Sequence, residues 1–329
     1  MINKKRQVSG ILHDMERRKK VHAKKPALPI KHWSHSSLMS FLRNPLAWYK
    51  RYVEEVYDTP STPASIVGRA GHLALEHFYR QVSERQAQVE NFAPGRANAG
   101  GNTFSENVLK KCYRGADKES AMQKGLAYIR GIGDFEIDFK KAKTRRAKKE
   151  KRKAMEQEYL RAVSFYLERP PRHKVLGVEV KGLVEVDGLP LPIKAVSDLV
   201  VASRVERGAV DIVDHKFVAS FSKGGAAKAL FIIQAIFNYY TVQEMFGKPV
   251  RRFLVYECKK TRNADGGPQM RRYEIDFRKH AEDFTVFHRL VNDATKEISR
   301  RRLYLPNPSD MFEGDNSFDI YRLELIDDE

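Results

Sequence analysis

Apolar positions recur at helical spacing through the first half of the chain and at strand spacing from about residue 171 onward. Ser34 is a helix cap for HSSLMSFLRNPLAWYKRYV, where Leu38, Phe41 and Leu42 fit one stripe and Pro45 interrupts or restarts the helix. After the turn-rich TPSTPAS, a second helix is expected from about Ile66 in IVGRAGHLALEHFYRQVSERQ. Leu73, Leu75, Phe78 and Tyr79 give it apolar contacts, and His72 and Glu76 stand four apart on one face. Residues 91–107, rich in Gly, Asn and Ala, read as a loop, after which helical patterns resume.

The period changes at Pro170-Pro171. KVLGVEVKGLVEV runs to a turn at Asp187-Gly188 and LPLPIKAVSDLVVAS returns, a hairpin signal; AVDIVDHKFV follows as a third strand. A helix from about Gly225 to Phe246 closes at Gly247, RRFLVYECKK and RRYEIDF form a second hairpin, and a last helix covers about Arg278 to Arg301. Strands joined through a crossover helix predict an α/β fold, a mixed central sheet flanked by helices with a helical N-terminal part. The expected organisation is an arm over 1–30, a helical region over 31–170, an α/β core over 171–302 and a tail over 303–329, with 31–302 as one compact unit.

Composition narrows the partners. With 42% hydrophobic residues the chain can bury a core, yet it has no apolar run of the roughly 18–20 residues that span a bilayer. MINKKRQVSG lacks the apolar segment of a secretory signal, so a cytoplasmic location without a membrane partner is expected. Cys112 and Cys258, the only cysteines, cannot build a disulfide framework or supply four thiolates to a cluster. The formal charge of +18 favours a polyanion, nucleic acid first. The first thirty residues are basic, and KKAKTRRAKKEKRK (140–153) reads either as a solvated helix face or as a phosphate contact; a nuclear-import signal would look similar. The acidic tail could cover a basic groove or simply be solvated.

Candidate chemistry sits on the third strand. Asp214 and Lys216 share one face, whereas Asp211 has the opposite parity and a change there is expected to be nearly silent. Asp198 lies sixteen residues earlier across a turn, so adjacent antiparallel strands can bring the two carboxylates together. Converging carboxylates repel, a divalent cation is the usual remedy, and oxygen ligands favour magnesium or manganese. A lysine beside such a site completes a device for phosphodiester hydrolysis. Glu179 shares its strand face with Lys181, and cross-strand ion pairing is the simpler account of it. Trp33, Trp48, Tyr49 and Tyr52 could stack on unpaired bases or pack in the core, and Gln234, in the apolar ALFIIQAIFNYY, needs a hydrogen-bond partner.

The ordered set of GRAGHLALEHFY, Asp198, Asp214-x-Lys216 and a helix containing Gln234 resembles the PD-(D/E)XK nucleases. Within them it looks most like RecB-type exonucleases and their CRISPR-associated and phage relatives, and SHSSLMSFLRNPLAWYKRYV resembles a segment of those proteins. The resemblance implies a restriction-endonuclease-like core. It makes His72, Asp198, Asp214 and the His215 backbone carbonyl metal ligands and Lys216 the catalytic lysine. It also gives Gln234 a supporting or DNA-contacting role, with Tyr239 one residue later than the family pattern, rotated off Gln234's face, so that Asn238 is the alternative. Glu76 either orients His72 or is a helix-surface carboxylate. Asn44 stands where cluster-containing relatives have cysteine, so no iron–sulfur cluster is expected. The implied activity is a magnesium- or manganese-dependent DNA nuclease, most like an exonuclease acting on single- or double-stranded ends with a recombinase or single-strand-annealing partner. The alternatives are an endonuclease or an inactive nucleic-acid-binding module.

Overall fold

Each helix begins where the sequence supplies a cap. In a computed structural model that describes residues 28–56, 60–92, 105–140, 142–222, 224–264, 266–300 and 302–305, the side chains of 92 and 224–230 excepted, Ser34 caps α1 (His35–Arg43) with a reciprocal hydrogen bond to Ser37. Asn44 then caps α2 (Pro45–Tyr52), its side chain accepting from Ala47 N–H at 3.1 Å with Pro45 in the first turn. α3 (Pro63–Phe92) carries the His72 motif and is followed by α4 (Glu106–Gly115) and α5 (Lys118–Gly131). The basic run is helical from Arg145, as the start of α6 (Arg145–Glu168). Thr144 caps it, and from Met155 onward it buries Met155, Tyr159, Val163 and Tyr166, so packing there sustains a helix whose first turns have no apolar face. Most of the basic arm, the centre of the 91–107 loop and the acidic tail beyond 305 lie outside the described residues.

The sheet has six strands: β1 (Trp33–Ser34), β2 (Val175–Val184), β3 (Ile193–Ala202), β4 (Val210–Val218), β5 (Val250–Lys259) and β6 (Met270–Asp276). β2–β3, β3–β4 and β5–β6 are antiparallel, while β4–β5 is parallel through α7 (Gly224–Phe246). The mixed α/β sheet flanked by helices is therefore as the sequence predicts. α3 to α6 cover one face, where Phe78, Tyr79, Tyr159 and Tyr166 meet Leu199, Val213, Leu254 and Cys258. α7 covers the other, joined by α1, α2 and α8 (Ala281–Ser299) around Trp33, Trp48, Phe237 and Phe287. Trp33 and Trp48 are fully buried in that core, so neither is a surface for bases.

One irregularity positions the site. β2 occupies one edge of β3 along nearly its whole length; on the other edge β4 pairs only with 199–202 and the two-residue β1 only with 193–194. Residues 195–198 of β3 therefore border a notch in the sheet, and Asp198 stands at its rim.

Asp211 carries a structural contact that strand parity alone does not reveal. It does point away from Asp214, but it is 1% exposed and accepts from Arg252 at 2.6 Å, with Glu274 on the same guanidinium at 3.2 Å. Strand parity describes the face and says nothing of what that face holds. A buried ion pair is costly to break, so this position is structural rather than silent.

Candidate active site

Three acids line up across three strands. Val178 pairs with Leu199 and Val180 with Ser197, so Glu179 of β2 stands opposite Asp198; Leu199 pairs with Val213, which sets Asp198 against Asp214 as β3 and β4 part. Glu179 reaches this row through a left-handed backbone conformation, φ +50°, one that side-chain-bearing residues adopt at a cost. Instead of a cross-strand partner of opposite charge, its carboxylate meets the Asp198 carboxylate and the His72 imidazole, one ligand atom of each lying within 4.8 Å of the others. Burial first, then the negative charges of Asp198 and Glu76, push Glu179 up to about 7.

His72 arrives from α3 because Gly71 lets that helix touch β4. A Cβ at Gly71 would sit 2.2 Å from the Phe217 ring, so the close approach admits only glycine. His72 Nδ1 lies 3.3 Å from Asp198 Oδ1. Burial works against its charge, yet Asp198 and Asp214 outweigh it and lift His72 to about 9. Asp198 Oδ2 accepts the His215 backbone N–H at 2.7 Å, covering an amide that the parted strands leave open. Burial opposes ionisation of Asp198, but His72 and His215 hold it well below the usual carboxylate range.

Asp214 is 5% exposed, and its two oxygens differ. Oδ1 accepts from Gln234 Nε2 at 2.7 Å and from Lys216 Nζ at 3.1 Å. Oδ2 lies 3.0 Å from the same ammonium but outside hydrogen-bond geometry, which leaves it a buried acceptor without a hydrogen bond. Burial raises the Asp214 carboxyl despite Lys216. Lys216 itself is raised: burial disfavours its charge, and Asp214 and Asp198 more than restore it. His35, which opens α1, is held down to about 4 by burial and then by the charge of Lys216.

His72, Asp198, Asp214, Lys216 and Gln234 thus come together. The His215 imidazole is also engaged: Nδ1 lies 3.3 Å from Asp198 Oδ2, Nε2 is 2.7 Å from the Tyr166 hydroxyl, and Tyr166 meets Tyr79 at 2.6 Å. This chain ties a site carboxylate to α6 and α3. Asn238 does not reach Asp214; its Oδ1 accepts from Ser197 at 2.6 Å and its Nδ2 donates to Gln234 carbonyl at 2.8 Å, locking α7 to the strand beside Asp198. Tyr239 packs on Phe277 and Phe284 and lines a separate cavity of about 790 Å³ near the start of β5. Glu76 binds Arg80 at 2.7 Å, and no hydrogen bond joins it to His72 among the described residues. Glu179 and His35 are the residues that sequence reasoning assigned elsewhere or passed over. The motif spacing carries no signal for His35, whereas an acid in the otherwise apolar VLGVEV was a signal open to two readings.

Clustered acids at a break between central strands, with a lysine two residues along, are the arrangement of restriction-endonuclease-like α/β hydrolases. The chain belongs to the PD-(D/E)XK nuclease superfamily, whose family model matches residues 32–310. Members hydrolyse nucleic acid and typically use divalent metals. Among solved structures, one titled "Crystal structure of SSO0001" matches with 14% identity over 79% of this chain and 83% of that one. Its TM-score of 0.25 is too low to carry an argument. No curated protein matches the chain. No helix among the described residues is long and apolar enough to cross a membrane.

Proposed function

We propose that the chain is a magnesium- or manganese-dependent deoxyribonuclease acting as an exonuclease at DNA ends, in recombination, repair or phage DNA processing. The observation that carries this reading is the row of Glu179, Asp198 and Asp214, ending beside the Lys216 ammonium. Like charges opposite one another on neighbouring strands destabilise a sheet, and a cation among the Glu179 and Asp198 carboxylates and the His72 imidazole would relieve that repulsion. His72, Glu179 and Asp198, whose ligand atoms lie within 4.8 Å of one another, would hold the ion, with Asp214 and the His215 carbonyl as the further ligands that the resemblance implies; hard oxygen donors suit magnesium or manganese. When bound, such an ion polarises the phosphate and acidifies a water.

The remaining roles follow from this chain's own groups. Lys216 is held as an ammonium by Asp214, so it donates hydrogen bonds to the attacking water or to the charge growing on phosphate oxygen and does not act as a base. Gln234 fixes Asp214 by Oδ1, and Oδ2 lies 3.0 Å from the Lys216 ammonium. The His215–Tyr166–Tyr79 chain holds Asp198 in register. The net charge of +18 supports DNA as the partner. A RecB-like type without an iron–sulfur cluster is supported by the two cysteines of the chain and by Asn44, which serves as a helix cap where relatives with clusters have cysteine. A recombinase or single-strand-annealing partner and a cytoplasmic location complete the proposal.

End-labelled linear DNA and closed circular DNA, incubated with manganese and then with EDTA, test it. Loss of linear substrate alone is expected. Cutting of circles would make the enzyme an endonuclease, and binding without metal-dependent cutting would overturn the reading.

A further inference from the structure

The loop that leaves β4 carries Phe221, five residues beyond Lys216, and two cations lie against its ring. The Arg271 guanidinium carbon is 4.6 Å from the ring centroid and the Lys259 ammonium 5.7 Å. Lys259 also donates to Asn263 Oδ1, and neither cation meets a carboxylate at ion-pair distance among the described residues. Phe221 is half-buried and Arg271 exposed, so the assembly faces solvent without being loose on the surface.

The loop is clamped from below by Glu257, which is 1% exposed. Ser222 N–H donates to Glu257 Oε2 at 2.8 Å, the Ser222 hydroxyl donates to Oε1, and the Ser222 carbonyl accepts from the Tyr273 hydroxyl at 2.6 Å. Glu257 pairs in register with Lys216 on the neighbouring strand, so its side chain lies on the sheet face that carries Asp214 and Lys216. The clasp therefore holds an aromatic ring and two cations over β5 and β6, next to the Glu257 that pairs with the lysine of the site.

We propose that Phe221, Arg271 and Lys259 form a seat for one unpaired nucleotide of single-stranded DNA on the sheet face that carries Lys216. The inference rests on the nuclease reading and deepens it by naming the strand state of the substrate. A single cation over a phenyl ring at an exposed site is worth little, but a nucleotide complements all three groups at once. Its phosphate answers the ammonium and guanidinium, and its base stacks on the guanidinium plane or the ring. Bases inside a duplex are already stacked and cannot reach the ring, so the seat selects a strand that is unpaired or frayed at this point.

Binding in EDTA reads the seat without any cleavage, so its failure is distinguishable from failure of the nuclease assay. Fluorescence anisotropy would compare a thymidine oligonucleotide, an abasic oligonucleotide of equal length and a duplex, using wild type, Phe221→Ala, Phe221→Leu, Phe221→Trp and Arg271→Ala. Phe221→Ala and Phe221→Leu should weaken thymidine-strand binding roughly five- to a hundredfold, the worth of one base–aromatic stack, and leave the abasic strand unchanged. Phe221→Trp should keep the affinity and show quenched indole emission on binding, above the constant background of the buried Trp33 and Trp48. Arg271→Ala should weaken both single strands and flatten the salt dependence. If Phe221→Ala does not fold, Phe221→Leu, which keeps an apolar side chain there, carries the test. Wild-type binding of Phe221→Leu to the thymidine strand, or equal losses on thymidine and abasic strands, would overturn the inference.

Discussion

Replacing Glu179 with glutamine keeps volume and hydrogen-bonding reach and removes one charge from the row of acids. Its ligand atom lies within 4.8 Å of those of Asp198 and His72, a distance at which two like charges repel by about 3.5 kcal/mol at an effective dielectric near 20. His72 pulls the other way, and the upward shift of Glu179 to about 7 says that burial and repulsion win. A net relief of about 1–2 kcal/mol is left after discounting for the partial exposure of the carboxylate. In EDTA at about pH 8 the variant should therefore melt a few degrees above wild type, since 1 kcal/mol moves the midpoint of a large domain by about 2–4 °C. With manganese the order should close or reverse, because losing an anionic ligand weakens the ion by at least about tenfold and forfeits about 1.4 kcal/mol of ligand-linked stability. Differential scanning fluorimetry across a manganese series reads both effects on one plate. A variant that melts lower in EDTA and gains as much from manganese as wild type would mean that Glu179 is an ordinary strand residue and the strained conformation has another cause.

Lys216→Ala should lower cleavage about a hundredfold or more while DNA affinity in EDTA stays near wild type, because one ammonium is a small part of a +18 chain; parallel loss of binding would refute its assigned role. Asp211→Asn should cost about 3 kcal/mol in urea unfolding by leaving Arg252 with only Glu274, and should leave cleavage by the folded fraction unchanged; an unaltered midpoint would refute the buried-pair account. His173 is pushed down to about 3 by burial and then by Arg204, so the unfolded chain takes up its proton near 6.5 and the folded chain does not. Stability from this group is present above about pH 6.5 and falls as pH drops towards 3. The loss is about 1.6 kcal/mol between pH 6.5 and 5, and His173→Gln should remove it from the slope of urea midpoints against pH.

The sequence made the long elements legible because their periods are sustained over many residues. The two residues of β1 are too few to show an alternation, and so the strand that closes one end of the notch was invisible. The acids at 198 and 214 could be aligned by counting through a turn, because that hairpin edge is regular up to Leu199 and Val213. Glu179 could not, since β2 and β3 are joined through residues 185–192 and counting from Asp187-Gly188 alone gives it the wrong cross-strand partner. Helical geometry sufficed to rotate Tyr239 off the face of Gln234, where it packs on Phe277. Asn238, on the right face, turned out to brace Ser197, a contact that depends on how α7 lies over β3 and has no signature in either segment alone.

The parting of β3 and β4 also constrains how this protein could lose its activity over generations. The Asp198 carboxylate stands in for the missing strand partner of the His215 amide, so the position has a duty that survives the end of catalysis. Alanine there would strand a buried donor at a cost of about 1–3 kcal/mol, whereas asparagine still offers an oxygen to it. Descendants that have given up cutting should drift freely at His72 and Lys216 and yet hold aspartate or asparagine at 198, a fossil of the site kept by the backbone's needs.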